Sequence, residues 1–154
     1  MLYDAIILAG GNNASELKKI APYENEALII IGNSPMINYV YRALRASKNI
    51  GRIVISGPVK DLRAILAKDP ELLFVEGGDN AVASFANAVE LLKQGEMSES
   101  LLIMPTDIPF ITTAAIDDFI AQSEIHQADF YYPITSKEVN EHKFPGVSRT
   151  YVKL

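Results

Sequence analysis

Six short apolar runs recur along the chain with longer amphipathic stretches between them, and this alternation limits the fold more than any other feature. The runs are 5–8 (AIIL), 28–31 (LIII), 53–55 (IVI), 72–75 (LLFV), 101–104 (LLIM) and 130–132 (FYY). They are continuous and not strictly alternating, which is how strands covered on both faces read. The stretches between them repeat at helical spacing. Ser34-Pro35 reads as an N-cap with Pro at the first helical position, followed by Met36, Ile37, Val40, Tyr41 and Leu44. Residues 59–68 place Leu62, Ile65 and Leu66 on one face. Residues 79–93 carry Val82, Phe85, Ala86, Val89 and Leu92, with Gly95 as a stop. Residues 112–123 carry Ile116, Phe119 and Ile120, with Thr112 as the candidate cap.

Strands and helices in alternation predict a mainly parallel sheet with helices on both faces, a three-layer α/β/α arrangement. Ligands of such sheets sit at the carboxyl ends of the strands, so the residues just after each run are where chemistry is to be sought. With 154 residues and no repeat, low-complexity tract or linker, residues 1–154 are expected to form a single domain.

Composition removes several classes of function. The chain is 49% hydrophobic and 21% charged, a globular balance. Its net charge of −5 does not suit a nucleic-acid surface, and an anionic substrate must be met by local cations, backbone N–H groups or a metal. There is no cysteine, hence no disulfide, thiolate metal site or cysteine nucleophile. No apolar run approaches the length of a membrane span, and Asp4 stands directly before the first run without a basic leader. A cytoplasmic protein with no membrane partner is expected. Assembly into a homo-oligomer is left open.

Gly10-Gly11 follows the first run immediately. A glycine pair lets the backbone turn sharply and brings successive N–H groups close to a phosphate or base, although a plain tight turn uses the same residues. The segment is neither GxGxxG nor a Walker loop, because no third glycine and no Gly-Lys-Ser/Thr follow. After the fifth run comes Pro105-Thr106-Asp107-Ile108-Pro109. One carboxylate delivered at a strand end suits Mg²⁺, which needs only one or two protein oxygens besides water and phosphates. The alternative is a capping Asp. A second glycine turn, Gly77-Gly78, opens the 79–93 helix, where free N–H groups face an anion or a base, or where Asp79 or Asn80 simply caps the helix and Ser84 is incidental.

These segments carry a family resemblance. DAIILAGG at 4–11 resembles the opening of the MobA-like NTP transferases, within the nucleotidyltransferases of the nucleotide-diphospho-sugar transferase fold. ALIIIGNSPMI at 27–37 is similar to that family's stretch leading into its first long helix. The resemblance runs through nearly the whole chain. It implies a Rossmann-like sheet, Asp107 as the metal ligand, and Ser84 and Asn87 near the nucleobase. Residues and resemblance together make Leu8, Ala9, Gly10, Gly11, Gly78, Ser84, Asn87 and Thr106 the candidate nucleotide-binding set, with Mg²⁺ as cofactor.

Two positions depart from the pattern. The wider group usually carries an Arg shortly after the glycine turn and a Lys just before the "ALI" stretch; Ser15 and Glu26 stand in those places. Lys18 and Lys19 are the nearest replacements and are the candidate catalytic cations. The chain ends at Leu154 within what reads as another strand, as expected of the N-terminal portion of a longer protein. His126, His142 and the pair Asp117-Asp118 read as solvated, and Tyr39 and Tyr41 as packing residues.

The expected activity is Mg²⁺-dependent transfer of NMP from an NTP to a small phosphorylated or sugar-like acceptor, with release of pyrophosphate. Its rival is a non-catalytic nucleotide-binding regulatory domain, which Ser15 and Glu26 favour. A dinucleotide-binding oxidoreductase is the weaker rival, since the third glycine is missing.

Overall fold

The computed structural model describes residues 2–13, 15–66, 68–126, 128–147 and 149–153; the Ser15 side chain and Leu154 lie outside the described residues. The chain divides into two compact units, Met1–Ile120 and Ala121–Leu154.

In the first unit β1 (Tyr3–Leu8) leads through the four-residue helix α1 (Ser15–Lys18), a 3₁₀ turn (Glu26–Leu28) and a small hairpin of β2 (Ile30–Ile31) and β3 (Ser34–Pro35) into α2 (Met36–Arg45). Then β4 (Ile50–Gly57), α3 (Val59–Leu66), β5 (Leu73–Glu76), α4 (Ala81–Leu92) and β6 (Leu101–Pro105) alternate, and α5 (Thr113–Ile125) follows. The four long strands form one parallel sheet in the order β5-β4-β1-β6. Parallel neighbours cannot be joined by tight turns, so every connection crosses a face of the sheet, as the alternating pattern requires.

The pleat divides the core in two. Ala5, Ile7, Ile53, Ile55, Leu102 and Met104 point to one side and pack with Ile37, Val40 and Leu44 of α2, Leu62 and Leu66 of α3, and Ile116 and Ile120 of α5. Ile6 and Val54 point to the other side, against Ala88 and Leu92 of α4. Three layers are therefore present, as the sequence predicts. Edge strand β6 is fully covered on one side and partly on the other: Leu102 and Met104 are buried, Leu101 packs against the α4-side cluster, and Ile103 is 41% exposed.

Several expectations are corrected. Run 28–31 is no strand of the parallel sheet: Asn25 caps a 3₁₀ turn there, its side chain accepting from the Ala27 N–H at 2.8 Å, only Ile30–Ile31 is extended, in the small hairpin, and Gly32 (φ 63°) closes that hairpin at once. Ser34 does not cap α2. It pairs with Ile31 in the hairpin, accepts from Asn38 Nδ2 at 2.9 Å, and leaves Pro35 at the cap position. Asn80 and not Asp79 caps α4, accepting from the Ala83 N–H at 2.9 Å, whereas Thr112 caps α5 through the Ala115 N–H at 3.2 Å as expected. Asp117 is not merely solvated: it accepts from Ser47 Oγ (2.5 Å) and Asn49 Nδ2 (3.0 Å), tying α5 to the loop before β4. Tyr39 and Tyr41 pack and also donate, to Ile31 O and the Asp69 carboxylate, both at 2.6 Å.

The second unit holds the end of α5 and the helix α6 (Lys137–Lys143), capped by Ser136. Run 130–132 forms no strand. Phe130 and Tyr132 are exposed and Pro133 follows, and among the described residues the run pairs with no strand. Residues 151–153 are likewise not in a strand, and Lys137 lies 5.3 Å over the Tyr151 ring. His126 and His142 are exposed.

Candidate functional site

Strand order reverses once. The chain adds β4 and β5 on one side of β1, then returns to place β6 on the other, so β1 and β6 flank the point where an open α/β sheet leaves a crevice. Register sets Leu8 opposite Pro105, and both segments bearing the candidate motifs therefore leave the sheet side by side.

On the β1 side, Ala9 continues the ladder by donating to Ser56 O at 2.7 Å. Asn25 holds the turn from beneath. Its Nδ2 donates to Ala9 O at 2.7 Å while its Oδ1 caps the 3₁₀ turn, and the Glu26 N–H donates to Gly11 O at 3.0 Å. Gly10 and Gly11 are exposed, and among the described residues neither N–H is given to a bond within the protein. A Cβ on Gly11 would stand 3.0 Å from Glu26 Oε2, so Glu26 lies directly against the turn.

On the α4 side, Ser84 is 3% exposed and accepts from the Gly78 N–H at 3.0 Å. Its Oγ would lie 3.6 Å from a Cβ placed on either Gly10 or Gly77, so one buried hydroxyl spaces both glycine turns. Asn87 is exposed and donates to Glu76 O at 3.1 Å, bracing the end of β5. Thr106 is buried, and Asp107 is exposed beside it.

These pieces enclose an open cleft of about 370 Å³. Of the candidate residues it brings together Leu8, Gly10, Gly11, Gly78, Ser84, Thr106 and Asp107. Ala9 lies beneath the cleft, wholly buried, and Asn87 is not on its wall. Nor are Lys18 and Lys19: Lys18 pairs with Glu24, and Lys19 with Glu16 at 2.8 Å. Sequence reasoning missed Asp79, Asn80, Ala81 and Pro105 as wall residues, and took Glu26 only as a departure from a pattern. Asn25 was missed altogether; its signal was an Asn directly before a short apolar turn, which is a cap arrangement. The charged wall residues are Glu26, Asp79 and Asp107, with no Lys or Arg among them.

The three-layer parallel α/β sheet is the fold of the nucleotide-diphospho-sugar transferases, and in this chain the glycine turns and the strand-end Asp107 stand at its switch point. The chain belongs to the family of the MobA-like NTP transferase domain, whose sequence pattern matches residues 5–150. Among solved structures it is similar to a hypothetical transferase from Thermus thermophilus, at 27% identity and TM-score 0.72 over 100% of this chain and 60% of that one. It shares the fold of 4-diphosphocytidyl-2C-methyl-D-erythritol synthase from Anaerococcus prevotii (21% identity, TM-score 0.61, 89% of this chain and 60% of that one). It also shares that of CMP:2-keto-3-deoxy-manno-octonic acid synthetase solved with CTP (12% identity, TM-score 0.60, 81% and 48%). The chain thus spans three-fifths or less of the length of these structures. No curated protein sequence matches it. Among the described residues no helix is long and apolar enough to cross a membrane.

Proposed function

We propose that this domain transfers a nucleotidyl group from an NTP to a small phosphorylated or sugar-like acceptor. An acceptor oxygen attacks the α-phosphorus, the bond from that phosphorus to the bridging oxygen breaks, pyrophosphate leaves, and the acceptor's proton passes to water. The observation that carries this reading is the shared cleft of the Gly10-Gly11 turn and Asp107, side by side past β1 and β6. Two free N–H groups on an exposed turn suit phosphate oxygens. Ser84, by holding Gly78 and spacing Gly10, fixes the width available to a base.

Mg²⁺ fits the donors at hand. Asp107 is an exposed carboxylate next to Thr106, and the wall's other donor side chains, Glu26, Asp79, Asn80 and Ser84, offer oxygen with no His among them. When bound, Mg²⁺ supplies charge neutralisation for the triphosphate. Lys18, the last residue of α1, and Lys19 beside it stand off the cleft wall, and this reading assigns them to the phosphates on exchange of their partners Glu24 and Glu16.

A second reading is a nucleotide-binding regulatory domain without catalysis. It is favoured by the same wall, which holds Glu26 and no cation, and by the ion pairs that occupy Lys18 and Lys19. Incubation with each NTP, Mg²⁺ and a panel of sugar phosphates separates the two. CTP is tried first, since the names of the solved relatives carry cytidylyl products or CTP. Pyrophosphate release that falls about a hundredfold in Lys18→Ala or Lys19→Ala is expected of the transferase, on the scale of losing one preorganised donor. Nucleotide binding without pyrophosphate release selects the regulatory domain.

A further inference from the structure

We infer that Glu26 makes nucleotide entry conditional on a divalent cation, barring the metal-free polyanion from the Gly10-Gly11 turn. The inference rests on the nucleotide reading above and adds a rule for which ionic form of the nucleotide the cleft accepts.

Glu26 is not a loose surface carboxylate. Its N–H is bonded to Gly11 O, and the preceding Asn25 is fixed at both ends of its side chain, to Ala9 O and to the Ala27 N–H. The backbone that bears Glu26 and the backbone of the turn are therefore one unit. Glu26 Oε2 lies 3.0 Å from where a Gly11 Cβ would be, so the carboxylate lies next to the peptide groups that would meet phosphate. Two consequences follow from charge. A triphosphate at the turn without a cation places like charges within a few ångströms of one another, and no Lys or Arg on the cleft wall offsets the repulsion. A nucleotide carrying Mg²⁺ presents less negative charge, so the repulsion from the same carboxylate falls, and a water on the metal would have Glu26 as its acceptor. Glu26 thus selects between two forms of one ligand by disfavouring the wrong one.

Calorimetric titration of the purified protein with each of the four NTPs, in excess Mg²⁺ and again in EDTA, tests this without any turnover. The wild type is expected to bind at least one NTP roughly tenfold or more tighter with Mg²⁺, the scale of one like-charge contact in a partly solvated site. Glu26→Gln should narrow that ratio by strengthening binding in EDTA, and Glu26→Lys should narrow it further. Asp107→Asn should narrow it chiefly from the other side, by weakening binding in Mg²⁺. Circular dichroism melts confirm that each variant is folded. Wild-type affinity that is equal in the two buffers, or a ratio unmoved by Glu26→Gln, overturns the inference and leaves the nucleotide reading standing. No heat from any NTP with the wild type or the Glu26 variants overturns both.

Discussion

Single residues at this site divide into those that meet a ligand and those that shape the backbone that does. Asp107 belongs to the first kind: exposed, and just past the end of β6 on the cleft wall. Asp107→Asn is expected to weaken Mg²⁺-dependent NTP binding by calorimetry while leaving unfolding free energy within about 1 kcal/mol of wild type, as for other exposed positions outside the core. Unchanged Mg²⁺–NTP affinity would remove the metal assignment. Gly57 belongs to the second kind. A Cβ there would meet Ala9 O at 2.7 Å and Ala9 C at 2.9 Å, backbone atoms that cannot step aside as a flexible side chain would. Gly57→Ala should therefore cost about 1–3 kcal/mol in urea unfolding, the usual scale of overpacking. It should also weaken NTP binding, because Ala9 is the root of the nucleotide turn. A variant of wild-type stability would show that β4 and the turn are free to separate.

At the scale of elements, the runs that pair in the main sheet read correctly, the partly covered β6 among them, and the sequence misled where caps, turns or the want of a pairing partner decide the path. Runs 5–8 and 53–55 lie in β1 and β4, with packed layers on either side, and read correctly. Run 28–31 has the same composition, but Asn25 before it and Gly32 after it decide its path through caps and turn geometry that apolar content does not encode. Run 130–132 has no neighbouring strand, and pairing is a property of two segments that one segment cannot announce. The site followed the same logic. Gly10, Gly11 and Asp107 were legible because each stands at the end of a readable strand. Asn25 was not, because its partner Ala9 lies 16 positions away. Asn25→Ala removes two hydrogen bonds in a nearly closed site and leaves Ala9 O without its partner. A loss of about 2 kcal/mol is expected in urea titration, from one neutral bond and one unsatisfied group. Binding should fall with it, seen as a raised Kd for NTP, and amide exchange should quicken at Ala9 and Glu26, whose N–H groups bond Ser56 O and Gly11 O and hold the turn. Loss of stability with unaltered exchange in the turn would show that the 3₁₀ segment and the turn are not coupled.

For the molecule as a whole, the cleft and the chief buried ion pair occupy opposite ends of one sheet. Asp4 opens β1, is 2% exposed, and accepts from Arg52 Nη2 at 2.6 Å and from the Ser98 N–H at 3.0 Å, while Arg52 Nη1 reaches Leu92 O at 3.2 Å. One cluster thus ties β1, β4, the end of α4 and the approach to β6 at the amino ends of the strands, away from the carboxyl ends where ligand would bind. Burial pushes the Asp4 carboxyl up, but the Arg52 hydrogen bond, the Ser98 N–H and the Arg52 charge together outweigh it and hold Asp4 below the ordinary carboxylate value. A carboxyl depressed in the native state stabilises it fully above the unfolded pKa, near 3.8, and loses that contribution as pH falls through the lower native value. Asp4→Asn should cost about 2 kcal/mol at neutral pH, the scale of hydrogen bonds to a charged partner, with Arg52 still partly solvated. Stability curves from urea titration should therefore converge as pH drops through the acid range, because the wild type surrenders there what the variant never had. A gap between wild type and Asp4→Asn that stays constant from neutral pH into strong acid would show that packing, and not the charge of Asp4, joins these four elements. NTP affinity at neutral pH should be the same in both proteins, since the pair stands at the far end of β1 from the Gly10-Gly11 turn.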